Sequence, residues 1–172
     1  MLKDKIKSLA KAYKEEVIAN RRHLHANPEL SFEEYNTSKY VKEKLQAIGI
    51  TNIESKADTG WAALIEGKNP NKRVVALRAD MDALPIIEAN EVLYKSKNHG
   101  VMHACGHDAH TASLLGAAKI LNELKDDFEG TIKLIFQPGE EVSPGGASLM
   151  IADKVLENPR PNGIIGQHVM PF

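Results

Sequence analysis

Three short apolar runs in the later part of the chain each end in residues able to hold a metal or a proton. That restricts the fold more than any other feature. Val74-Val75-Ala76-Leu77 runs into Asp80-Met81-Asp82, Ile132–Phe136 runs into Glu140-Glu141, and Ile164-Ile165-Gly166 runs into His168. Runs of this length, bounded by Gly, Pro and Asp, read as strands, and Trp61–Ile65 reads as another. Between them lie a stretch rich in Ala and Leu, Thr111 to Leu124, and a shorter one, Ala147 to Glu157, both with helical character. Strands alternating with helices predict an α/β sheet covered on its faces. In such sheets ligands gather at the carboxyl ends of the strands. Asp80, Asp82, Glu140, Glu141 and His168 should therefore meet at one edge, beside Met102–Asp108 at the entrance to the long helix.

The front of the chain has a different period. Ile6, Leu9, Tyr13, Val17 and Leu24 predict a helix over residues 4–26, ending before Asn27-Pro28. Ser31 ahead of Phe32-Glu33-Glu34 reads as a capping box opening a second helix. Its stripe is Tyr40, Val41, Leu45 and Ile48, and Gly49 stops it. No internal repeat or interdomain linker interrupts the pattern.

With 172 residues, 42% of them hydrophobic and 26% charged, the chain can bury the core of one soluble domain. A net charge of -1 gives no reason to expect a nucleic-acid or acidic membrane partner. No stretch approaches the roughly 18 apolar residues of a membrane span. The single cysteine excludes an internal disulfide framework and fits a reducing, cytoplasmic setting.

Cys105-Gly106-His107 places a thiolate and an imidazole two residues apart. On an extended backbone both would point to the same side and could hold one ion, zinc or a first-row neighbour. A lone Cys-x-His is often inert core, but His103, Asp108 and His110 crowd the same segment. Such polar density is costly to bury unless a metal or a network satisfies it. Glu140-Glu141 could be two solvated loop acids. As an adjacent pair they could instead divide the work, one ligating and the other taking a proton from water. Asp80 and Asp82 could equally close an Asx turn, and His168 taken alone could be a core histidine.

Several segments, taken in order, resemble the peptidase/aminoacylase superfamily of metallohydrolases. They are Arg21–Phe32, Arg78–Pro85, Met102–Thr111, Phe136–Glu141 and His168-Val169. The similarity is to the branch of hippurate hydrolases, N-acetyl-diaminopimelate deacetylase and auxin-conjugate hydrolases. It implies the three-layer α/β/α catalytic domain of a zinc-peptidase-like enzyme that hydrolyses N-acyl-amino acids. It also implies Cys105, His107, Glu141 and His168 as metal ligands, Glu140 as general acid/base and Asp82 as a carboxylate orienting a ligand. One or two divalent ions are implied, zinc first, with manganese, cobalt or nickel as alternatives. Asp80 stands where other members of the superfamily carry a metal-binding histidine, and is not expected to ligate. Members of the branch are about twice as long, so residues 1–172 would be the front part of the catalytic domain. The dimerisation and lid domain, the return of the chain and a further ligand would be missing. Two other readings are a cysteine amidase using Cys105 and His107, and a metal-binding fragment without turnover.

Overall fold

The structure, a computed structural model, describes residues 1–170, so Pro171 and Phe172, on which the expected domain closes, lie outside it. The predicted first helix forms as two, α1 (Leu2–Ala12) and α2 (Lys14–Ala26), joined at Tyr13. α1 buries none of its residues, as its lysines require, whereas α2 buries Asn20, Leu24, His25 and Ala26 at its far end.

α3 spans Tyr35–Ala47 and packs Val41 and Leu45 inward. The predicted capping box is not made. Phe32 takes a left-handed conformation with φ 64°, and the Ser31 hydroxyl donates to Asp82 at 2.6 Å instead of accepting from a first-turn N–H of the helix. The helix consequently starts after Glu34.

β1 (Ile53–Lys56), β2 (Gly60–Glu66), β3 (Val74–Asp80), β4 (Thr131–Gln137) and β5 (Gly163–Gly166) form one sheet in the order β1-β2-β4-β3-β5. β1, β2 and β4 run antiparallel, while β4, β3 and β5 run parallel. The register aligns Ala63, Leu134, Leu77 and Ile165 across four strands. Alternation along β4 sends Leu134 and Phe136 into a core with α3 and α4 (His107–Glu123) on one face. Ile135 turns to the other face, with Met150 of α5 (Gly146–Ala152) and Val155. The sheet is thus layered between helices on both sides, as predicted, with an antiparallel half that was not anticipated. β1 has one buried residue in four and no apolar run of its own; pairing with β2 makes it a strand.

Two helix boundaries differ from expectation for local reasons. α4 begins four residues early because Gly106, at φ 84°, supplies a left-handed N-cap that a side chain would resist. α5 is shorter than predicted because the buried Lys133 ammonium takes the carbonyls of Val155 and Glu157 at 2.9 and 2.7 Å. Those bonds draw the chain onto the sheet face instead of into a helix. Among the described residues no helix is long and apolar enough to cross a membrane.

Candidate metal centre

β3 delivers two acids to the carboxyl edge of the sheet. Asp80 and Asp82 are each 1% exposed, and Met81 between them turns into the core. His107, in the first turn of α4, lies over both acids. Its Nδ1 is 2.9 Å from the carbonyl of Asp82 and 3.2 Å from Asp82 Oδ1, so Nδ1 carries the proton and Nε2 its lone pair. Burial opposes a charge on His107, but the Asp82 bond and the nearby carboxylates raise its pKa. For Asp82, burial is overridden by bonds from His107, Ser31 and the backbone N–H groups of Glu141 and Glu140. These hold its carboxyl far below the ordinary 3.8.

Nε2 of His107 and Oε1 of Glu141 are both buried, 3.7 Å apart, and neither has a hydrogen-bond partner. On another side Cys105 Sγ lies 3.4 Å from His168 Nε2. His168 Nδ1 donates to the Val169 carbonyl, which leaves Nε2 turned to the sulfur. The donors fall into two triads sharing His107: Cys105, His107 and His168, and His107, Glu140 and Glu141, each within 4.8 Å. The four expected ligands and the expected base are therefore brought to one place. Spacings of 3.4 and 3.7 Å suit a tetrahedral ion, whose ligands at 2.0–2.3 Å stand roughly 3.3–3.8 Å apart. Sulfur, imidazole and carboxylate are also the donors zinc and its neighbours take. The residues present fit a divalent cation.

Cys105 and His107 do not converge through an extended backbone, as the spacing suggested. Gly106 turns the chain between them, and a side chain there would meet Val169 at 2.2 Å. Burial, then the carboxylates of Glu141, Asp80 and Glu140, push the Cys105 thiol up to about 11. A thiol so placed supplies little thiolate near neutrality, which disfavours a nucleophilic cysteine.

A third cluster, Asp80, His107 and His110, has the composition of a metal site, but both nitrogens of His110 are engaged. Nδ1 meets Asp80 Oδ1 at 2.6 Å, and Nε2 accepts the Val169 N–H at 2.9 Å. Asp80 is held in turn by Arg78 at 2.6 Å. This chain from β3 through α4 fixes the segment that carries His168.

A second polar network lies behind the site. Asp108 Oδ2 meets Arg21 Nε and His25 Nδ1, both at 2.8 Å, and His25 Nε2 meets Glu88 Oε1 at 2.9 Å. Buried His103 has no partner on either nitrogen, and burial pushes its pKa down to about 4 against the pull of Asp108. Burial also opposes the charge on Asp108, yet His25, His103 and Arg21 lower its pKa below 3.8. Asp82 and Asp108 thus contribute stability that is complete above 3.8 and is lost as pH falls through their lower folded values. The urea midpoint of the metal-free chain should fall below about pH 4, and Asp108→Asn should flatten that fall. A midpoint unchanged down to pH 2 would contradict this.

Sequence reasoning gave no part in the site to Ser31, Glu34, His25 or Glu88. Ser31 and Glu34 were absorbed into the supposed capping box. The available signal was a serine, a histidine and two acids in a chain already rich in ligand-bearing loops.

Residues 76–172, more than half of the chain, match the model for peptidase family M20/M25/M40. An N-acyl-L-amino acid amidohydrolase of Geobacillus stearothermophilus is 50% identical over 98% of this chain and 45% of its own length. The hippurate hydrolase of Campylobacter jejuni is 46% identical over 88% of this chain and 39% of its own. Among solved structures, a dinuclear metal-binding peptidase of the M20 family from Bacillus subtilis superposes with a TM-score of 0.86 at 42% identity. That match covers 94% of this chain and 44% of the other. The chain therefore spans less than half the length of these relatives. The fold, the donor set at the sheet edge and the family match agree, and the chain belongs to peptidase family M20/M25/M40.

Proposed function

We propose that this chain is the front, metal-binding portion of the catalytic domain of an amidohydrolase that cleaves N-acyl-amino acids. The observation that supports it most is the facing pair of buried, unpartnered atoms, His107 Nε2 and Glu141 Oε1. Two buried polar atoms that face each other without a hydrogen bond are expensive to bury, and a cation between them removes the cost. In this reading Cys105, His107, Glu141 and His168 hold one or two divalent ions, zinc first and manganese, cobalt or nickel as alternatives. The relatives' activities supply the substrate class, N-acyl-L-amino acids and hippurate. The partner is thus a small molecule; the resemblance to the family adds a cytoplasmic setting and, for the full-length enzymes, a homodimer.

A divalent ion bound here supplies Lewis-acid polarisation of the amide carbonyl and makes water more acidic. Glu140, exposed at the rim beside Glu141, takes a proton from the attacking water and returns it to the leaving amine. Water adds at the carbonyl carbon, the C–N bond breaks, and a carboxylic acid and a free amino acid result. Asp82 keeps the lone pair of His107 aimed into the site.

A second reading is a metal-binding portion without turnover of its own. Hydrolysis of hippurate or an N-acetyl-amino acid, assayed with EDTA and with iodoacetamide, separates the readings. Turnover abolished by EDTA and restored by Zn2+ is expected. Metal binding without turnover favours the second reading. Turnover that survives EDTA and dies with iodoacetamide would replace both with a cysteine amidase.

A further inference from the structure

We propose that Glu34 is a positioning residue for the turn carrying Glu140 and Glu141, acting on it through the backbone amide of Gly139. The inference rests on the reading of Glu141 as a metal ligand. Glu34 is 0% exposed, an expensive place for a carboxylate. Its Oε1 accepts the Gly139 N–H at 2.7 Å, and its Oε2 accepts the Thr59 hydroxyl at 2.8 Å. Gly139 stands at φ 51°, and a Cβ there would lie 2.3 Å from the Phe32 ring. The ring of Phe32 and the carboxylate of Glu34 thus grip one residue of the turn from the segment just ahead of α3. Two residues on, the Glu141 N–H is accepted by Asp82 Oδ2 at 3.0 Å. That oxygen also receives the Ser31 hydroxyl at 2.6 Å. Two buried carboxylates, both tied to the Ser31–Glu34 segment, therefore fix the amides at 139 and 141. With those amides fixed, the backbone sets where the side chains at 140 and 141 can point. The segment that fails to cap α3 instead holds the site together.

Co2+ titration of the 172-residue chain, followed by visible absorption, tests this. Glu34→Leu should weaken Co2+ binding about 10–100-fold and alter the d–d bands, as loss of a group orienting a ligand does. Glu34→Gln should restore both, since its amide oxygen still accepts from Gly139 and its NH2 can donate to Thr59. Leu45→Ala, a core truncation away from the turn, should lower the thermal midpoint and leave Co2+ affinity unchanged. Should Glu34→Leu fail to fold by circular dichroism, Glu34→Asp, one methylene too short to span both partners, should show the same weakening. Wild-type affinity and spectrum in the folded Glu34 variants, with Co2+ binding weakened by Glu141→Ala, would overturn the role of Glu34 alone. Loss of affinity in Leu45→Ala as large as in Glu34→Leu would also overturn it, reducing Glu34 to general stability. No effect of Glu141→Ala would overturn the ligand reading and this inference with it.

Discussion

Replacing Asp82 with alanine should destabilise the metal-free chain by about 3–5 kcal/mol, the range for breaking a buried charged network. It should also weaken Zn2+ binding about 10–100-fold. The Asp82 side chain is fully buried and accepts from His107, Ser31 and the Glu141 amide. The carbonyl of residue 82 still accepts from His107 at 2.9 Å, so the histidine keeps its tautomer. The loss in affinity should therefore come mainly from the freed Glu141 turn and the missing negative charge. Asp82→Asn should not rescue, because its NH2 must face either the His107 N–H or the donors on the other oxygen. Urea unfolding and calorimetric Zn2+ titration check both halves. An Asp82→Ala chain with unchanged midpoint and affinity would remove Asp82 from the account.

Glu140→Gln should lower hydrolysis of an N-acyl-amino acid by about 10²–10⁴-fold, the usual contribution of a positioned general base. Its exposed position predicts a stability change within about 0.5 kcal/mol. Bound metal should stay. Glu141→Gln should differ by losing metal as well as activity, since Glu141 Oε1 is the buried atom facing His107. Initial rates on hippurate beside elemental analysis separate the pair. If Glu140→Gln sheds metal while Glu141→Gln retains it, the two glutamates have exchanged roles.

The convergence of β3, β4 and β5 on one edge was legible because each apolar run stops at its ligand-bearing residues, and strand direction does the rest. Asp80 at the end of β3 and Asp82 just beyond it both face His107, with Met81 between them in the core. What escaped depends on contacts distant in sequence. Ser31 and Glu34 satisfy every local rule for a helix start, yet their partners are Asp82 and Gly139. Competition between a cap and a distant acceptor has no signature in a local window. The same holds for β1, which exists through β2, and for the end of α5, set by Lys133 reaching from the sheet. At Cys105-Gly106-His107 the donors were legible but the backbone was not, because the left-handed Gly106 replaces the extended form with a turn into α4. His110 was visible as part of a polar cluster. Its role in holding the His168 segment through Val169 needed the third dimension.

The central claim, that Cys105 with His107, Glu141 and His168 holds a divalent ion, is tested most directly by metal analysis of the purified chain beside Cys105→Ala, each also loaded with Co2+. The wild-type chain should carry metal and, with Co2+, a near-ultraviolet sulfur-to-metal band. Cys105→Ala should lose that band and most of the metal. Equal metal in both proteins, with no sulfur band in either, would contradict the account.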